Sequence, residues 1–181
     1  MALLRVVVSG GPGAGKTSLL QSLRVQGHAV GDDAARAIIR ERKAAGLPPR
    51  PDPLAFAEAV MQRDVATYES AASPSGVVFF ERSIVDALGM LDDAARLDAE
   101  ELDVRLARHP YHHDVFVLPP WEAIYAHDDE RDHPFAHAVR VHEHITRWYA
   151  RCGYRVVEVP CMSLARRCAF VLTALGLGGS G

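Results

Sequence analysis

Leu3-Leu4-Arg5-Val6-Val7-Val8-Ser9-Gly10-Gly11-Pro12-Gly13-Ala14-Gly15-Lys16-Thr17 is the stretch that decides the fold. Its first half is an apolar, β-branched run broken only by Arg5, as expected of a strand covered on both faces. Gly10 to Thr17 fits the pattern G-x-x-x-x-G-K-[ST] in full, and helical character continues from Thr17 to Val25. Strand, glycine-rich turn and helix N-terminus in that order make an anion cradle. Glycines let consecutive N–H groups turn inward, and the helix adds the positive end of its dipole. Gly11, Pro12, Gly13, Ala14, Gly15, Lys16, Thr17 and Ser18 are therefore the expected cradle for a nucleoside triphosphate. Lys16 would reach the β and γ phosphates, and the Thr17 hydroxyl would hold Mg²⁺.

Outward from this motif, strand and helix patterns alternate to the end of the chain, which predicts a parallel sheet with helices on both faces. His28 to Val30 reads as a short strand, and Asp32 or Asp33 as the cap of a helix from Ala34 to Ala44. The loop Gly46 to Pro53 precedes a long helix from Leu54 to Ala71. Val77 to Phe80 is a buried strand closing on Glu81, followed by helices from Ile84 to Leu91 and Ala99 to Arg108. Asp114 to Leu118 is the fourth strand, Pro134 to Arg151 a helix, Tyr154 to Val159 the fifth strand and Ser163 to Leu175 the last helix. We expect a single domain over residues 1–175, with 176–181 a flexible tail.

Three further groups carry candidate chemistry. The second strand-end motif, Glu81-Arg82-Ser83, delivers a carboxylate and a guanidinium where open α/β sheets bind ligands. Glu81 would bind Mg²⁺ or accept a proton from an attacking hydroxyl, and Arg82 would grip a phosphate bidentately. After the fourth strand, Asp128-Asp129-Glu130-Arg131 offers Arg131 as a lid arginine that meets charge developing in the transition state. Asp33 and Arg36, with Arg82 and Asp86, are the candidate acceptor-binding residues. The helical excursion from Ala34 to Ala71 is long enough to build a pocket for them.

Composition narrows the classes. The chain has 181 residues, 49% of them apolar, and a net charge of -3 that gives no polybasic field for nucleic acid. The N-terminal run is too short for a signal peptide and no stretch is long enough to span a membrane, so a cytoplasmic location is expected. Cys152, Cys161 and Cys168 show neither a disulfide framework nor zinc spacing and read as small core residues. His133 and His137 are i, i+4 neighbours, but His142-Glu143-His144 lacks the H-E-x-x-H spacing and no zinc protease is implied, and no G-x-S-x-G elbow supports a hydrolase. The sequence contains two lysines, Lys16 and Lys43, and no asparagine. One of those lysines stands at the position where phosphate chemistry needs a compact ammonium. Without Asn, the Asn-Lys-x-Asp guanine-reading motif cannot be written, which favours ATP over GTP.

These motifs resemble a known group, a single-domain P-loop family filed as AAA-type ATPase. The group takes in proteins named for defective translocation of a photoreceptor channel and relates to nicotinamide riboside kinase domains. The resemblance rests on Gly10 to Thr17, Asp33-x-x-Arg36, Phe79 to Ala87, Val115 to Pro120 with Trp121-x-x-Ile124-Tyr125, Asp128-x-Glu130-Arg131, and Gly153-Tyr154 with Val157 to Pro160. Family members more often carry Glu at the position of Asp33 and Asp-Arg-Gly in place of Glu81-Arg82-Ser83. The Glu-Arg-Ser form is similar to deoxynucleoside kinases. The resemblance implies a nucleoside/nucleotide-kinase-like sheet of five parallel strands in order 2-3-1-4-5, with the base near Pro160 to Arg166. It does not extend to ring-forming motors, because no second Asp-Glu pair or helical lid domain follows. The function implied is ATP·Mg²⁺-dependent transfer of the γ-phosphoryl group to a small nucleoside- or vitamin-like molecule. A nucleotide-binding switch or adaptor, or a slow ATPase, is the alternative.

Overall fold

The computed structural model describes residues 3–125 and 134–178. Five parallel strands lie in the order β2-β3-β1-β4-β5: β1 Leu4–Gly10, β2 Ala29–Gly31, β3 Val77–Glu81, β4 Asp114–Leu118 and β5 Arg155–Glu158. Seven helices connect them among the described residues: α1 Lys16–Val25, α2 Ala34–Ala44, α3 Pro53–Ser70, α4 Ile84–Ala95, α5 Ala99–Arg108, α6 Phe135–Arg151 and α7 Leu164–Ala174.

Alternation along the central strands sends side chains to two cores, because successive strand residues face opposite sides of a sheet. Val6, Val8, Val77, Phe79, Phe116 and Leu118 pack with Leu19, Leu20 and Leu23 of α1 and with Cys168, Val171 and Leu172 of α7. Val7, Val78, Phe80, Val115 and Val117 face the other way, onto Leu88 of α4 and Ile145, Trp148 and Tyr149 of α6. The strands that read as mainly apolar runs are thus the three covered on both faces. The edge strands β2 and β5 are only half-buried.

Caps set several helix starts. Asp33 accepts the Arg36 N–H of α2, Asp52 the Leu54 and Ala55 N–H groups of α3, Ser83 the Val85 N–H of α4 and Asp98 the Glu101 N–H of α5. Capping of α2 therefore falls to Asp33 rather than Asp32, which instead pairs with Arg24 at 2.7 Å. Helix α4 runs four residues past the expected Leu91, to Ala95, and the second strand is shifted by one residue toward Gly31. Gly176 and Leu177, expected in the flexible tail, close α7. Gly176 N–H donates to the Thr173 carbonyl at 3.0 Å and Leu177 N–H to that of Leu172 at 2.8 Å, with Gly176 at φ +69°. Cys161 is exposed, so only Cys168 is a fully buried core cysteine; all three are free thiols.

Candidate functional site

Register brings the candidate residues to one end of the sheet. Val8 of β1 pairs with Glu81 of β3, and Gly10 with Leu118 of β4, so the glycine turn emerges between two strand ends. Gly10 has φ +136°, and a Cβ there would lie 2.6 Å from the Leu118 carbonyl oxygen. Only glycine lets the chain leave the sheet so close to its neighbour. At Gly13, φ +75°, a Cβ would strike the Tyr125 ring at 2.5 Å. Tyr125, with Ile124, therefore lies over the outside of the turn.

Lys16 opens α1 and is buried; its Nζ donates to the carbonyls of Gly10 at 3.0 Å and Gly11 at 2.8 Å. Burial pushes its pKa down to about 7, with the Arg82 guanidinium adding to the fall and Glu81 and Asp33 opposing it. Thr17 Oγ1 donates to Glu81 Oε1 at 2.9 Å, while Arg36 Nη1 donates to Thr17 Oγ1 at 3.1 Å. A pocket of about 310 Å³ is lined here by Gly13, Gly15, Lys16, Thr17, Ser18 and Arg36, with Ile124, Leu164 and Arg167 at its outer side. Gly11, Pro12 and Ala14 are not in that lining. Gly11 is packed against the Ala138 backbone, and Ala14 is buried in the core beneath the turn.

A second cavity, of about 600 Å³, has Arg82 in its lining. Arg82, at φ +65°, stands between two carboxylates, with Nε 3.4 Å from Asp33 Oδ2 and Nη1 3.9 Å from Asp86 Oδ1. An arginine in left-handed backbone is strained, and such residues concentrate at functional sites. Asp86 is fully engaged: Oδ1 accepts from Ser9 Oγ at 2.7 Å, and Oδ2 from Tyr149 OH at 2.5 Å and Ser83 Oγ at 3.4 Å. The walls are apolar, with Ala34, Val60, Met90, Ile145 and Trp148. The Trp148 indole N–H donates to the Val85 carbonyl at 2.7 Å, and its ring lies against Gly89.

The structure thus assembles Lys16, Thr17, Glu81, Asp33, Arg36, Arg82 and Asp86 in one region, with Asp33 lining the larger cavity and Arg36, whose N–H it caps, lining the smaller. Arg131 lies outside the described residues. Two residues escaped the sequence reading. Arg167, one position beyond the loop expected to meet the base, is buried, donates from Nη1 to the Ala14 carbonyl at 3.3 Å and has its guanidinium carbon 5.4 Å from the centre of the Trp121 ring. Asp64, on α3, is buried in the wall of the second cavity, and its pKa is pushed up to about 8 by burial, then by Asp86 and Asp33. An acidic residue inside the otherwise apolar Phe56, Ala57, Val60 face was the signal available. Among the described residues no cluster of three or more His, Cys, Asp or Glu side chains suits a metal, and no helix is long and apolar enough to cross a membrane.

A phosphate-type cradle at the end of β1, in a 2-3-1-4-5 sheet, defines a P-loop protein of the nucleoside/nucleotide-kinase architecture. The chain matches the AAA domain family over residues 5–167 and belongs to it. Among solved structures it is similar to a deoxyadenosine kinase from M. mycoides with bound dATP, at TM-score 0.65 and 9% identity over 96% of this chain and 99% of that one. It is also similar to a thymidylate kinase from Ehrlichia chaffeensis, at TM-score 0.61 and 14% identity over 97% and 100% of the two chains. Likeness to NadR in complex with NR has TM-score 0.67 and 18% identity; it covers 97% of this chain but 51% of that one. No curated protein matches the sequence.

Proposed function

We propose that the protein is an ATP·Mg²⁺-dependent phosphotransferase that moves the γ-phosphoryl group to a hydroxyl of a small nucleoside- or vitamin-like molecule. The observation that supports this over a switch or a plain ATPase is the second cavity, since neither alternative needs about 600 Å³ of lined space beside the triphosphate cradle. The kinases among the structural relatives agree with it.

In this reading Gly11 to Ser18 cradle the phosphates, and Lys16 leaves the Gly10 and Gly11 carbonyls to meet the γ-phosphoryl oxygens. Thr17 and Glu81 supply a hydroxyl and a carboxylate side by side, hard oxygen donors of the kind Mg²⁺ prefers. Bound there, Mg²⁺ would neutralise charge on the transferring group. Glu81 Oε2 has no hydrogen-bond donor among the described residues and takes the proton of the attacking hydroxyl, directly or through water. The acceptor oxygen bonds to the γ-phosphorus as the β–γ bridging bond breaks, giving ADP and a phosphomonoester. Arg36, Arg82 and Arg131 stabilise the equatorial oxygens, and Asp33 and Asp86 hold Arg82 in place beside the acceptor. Arg167 and Trp121 flank the base side. ATP is preferred to GTP because no Asn is present to build the usual guanine-reading motif. The free thiols fit a reducing, cytoplasmic setting.

The test measures ADP release with and without a panel of nucleosides, vitamins and sugars. Acceptor-stimulated turnover that is lost in Lys16→Ala supports the kinase reading. Tight nucleotide binding without stimulation, or basal hydrolysis that no acceptor changes, overturns it in favour of the switch or the ATPase.

A further inference from the structure

Three carboxylates and one guanidinium face the floor of the second cavity: Asp33, Asp64, Asp86 and Arg82. Their hydrogen-bonding states are unequal. Asp33 receives the Arg36 N–H at 3.0 Å and stands 3.4 Å from Arg82, and both oxygens of Asp86 receive hydroxyls. Asp64 has no hydrogen-bond donor and no ion-pair partner among the described residues, although it is only 6% exposed. Its oxygens are not sealed in the core but open on the ligand-sized cavity, so whatever occupies that cavity, water or ligand, is their partner.

We infer that Asp64 selects the acceptor and that it selects for a positively charged nitrogen: the cavity takes a small hydroxyl-bearing molecule with a protonated amine and turns away molecules that already carry a phosphate. The word acceptor rests on the kinase reading; the binding preference does not. Arg82 is shared between Asp33 and Asp86, so the floor carries one negative charge even while Asp64 holds its proton. Asp93 on α4 and Arg140, Glu143, His144 and Arg147 on α6 are exposed to solvent and screened, with His137 half-buried among them, so the buried floor decides the sign. The Trp148 ring forms an apolar wall of this cavity, a surface on which a heterocycle can stack. Burial first, and then Asp86 and Asp33, raise the proton affinity of Asp64, and an arriving ammonium would replace that proton. The groups that act on it, Asp33, Asp86 and Arg82, sum to one negative charge, and Tyr111 adds none while its hydroxyl is protonated. An acceptor phosphate placed beside Asp64 would meet repulsion from Asp33 and Asp86, with Arg82, already shared between them, as the cation acting at that position.

Isothermal titration tests this with a non-hydrolysable ATP analogue and Mg²⁺ filling the first pocket. The probes are thymidine, its amino-deoxy analogue and thymidine monophosphate. The amino compound should bind at least about tenfold more tightly than thymidine, and the monophosphate at least about tenfold more weakly. Asp64→Asn, nearly isosteric, should bring the amino compound to within about twofold of thymidine and leave the affinity for the ATP analogue unchanged. Asp64→Ser gives a second variant with the same expectation. The inference is overturned if the amino preference persists in both variants, if the amino compound binds no better than thymidine, or if the monophosphate binds tightest. Turnover is not needed for any of these results, so a protein without phosphotransfer would still show the preference. A kinase with a different acceptor class would instead release ADP with its acceptor and fail here.

Discussion

Thr17 and Glu81, 64 positions apart in sequence, share a 2.9 Å hydrogen bond. The pairing follows from the sheet. Val8 of β1 is in register with Glu81 of β3, so the carboxylate ends beside the strand from which the glycine turn springs, and α1 begins by presenting Thr17 to it. A hydroxyl and a carboxylate already in contact need little reorganisation to share one divalent cation.

Removing either partner should therefore act through the metal. Thr17→Ala and Glu81→Gln should each raise the Mg²⁺ concentration for half-maximal turnover by about tenfold or more and lower kcat by about a hundredfold. Mg²⁺ titrations of acceptor-stimulated ADP release check this. An unchanged Mg²⁺ requirement in both variants would place the metal elsewhere.

Lys16 is half-deprotonated near neutral pH in the free protein, because burial holds its pKa at about 7. A bound triphosphate favours the ammonium form and raises that pKa, so binding must take up a proton wherever the pH exceeds about 7. Nucleotide affinity should then fall with rising pH, by up to about tenfold per unit between pH 7 and 9. Titration calorimetry at pH 8 in buffers of different ionisation enthalpy reads the uptake directly. Lys16→Met should lose the uptake along with turnover.

Asp64 makes stability depend on pH in the opposite sense to a salt-bridged aspartate. Its folded pKa, about 8, lies above the unfolded value, so the native state binds the extra proton between about pH 4 and 8. The stabilisation from that proton is complete below pH 4 and is lost as pH rises through 8. Asp64→Asn cannot ionise. Compared with wild type, it should gain about 2 kcal/mol at pH 9, roughly 4–8 °C in Tm, and little or nothing at pH 5. Thermal denaturation at the two pH values decides the matter; an equal effect at both would remove Asp64 ionisation as the cause.

Gly10→Ala should be among the most damaging single-methyl changes in the chain. The added Cβ would come 2.6 Å from a backbone carbonyl at a φ of +136°, and neither neighbour can swing aside as a side chain would. A loss of about 3 kcal/mol or more is expected, roughly 6–12 °C in Tm. A denaturant melt that finds the variant within about 1 kcal/mol of wild type would show that the β1 exit is more pliable than this geometry allows.

Legibility in the sequence followed the range of the interactions. Gly10 to Thr17 could be read because a phosphate cradle is built from consecutive backbone groups, and its residues are contiguous. Strand-end Glu81 and Arg82 could be read for a similar reason, since an apolar run that stops on charge marks where a parallel strand leaves the core. The mainly buried strands β1, β3 and β4 stood out more clearly than β2, which has three residues and lies half-exposed at the sheet edge. Boundaries slipped where tertiary contacts extend an element, as when buried Asp92 accepts from the Leu97 N–H and from Arg151 of α6 and the helix runs on to Ala95.

What the chain determined by itself was the class of fold and the phosphate end of the site, both fixed by local pattern: glycine spacing, one lysine in the right place, and runs of apolar strand. Only the tertiary structure decided how the carboxylates divide their work. Asp86 and Asp64 look alike as letters in helical stretches, yet packing brings Ser9, Ser83 and Tyr149 to Asp86 and, among the described residues, no donor to Asp64. Hydrogen-bond partners that come from β1, α4 and α6 cannot be inferred from spacing on one helix. Burial, which turns an unpartnered carboxylate from a surface charge into a recognition group, is a property of the assembled core.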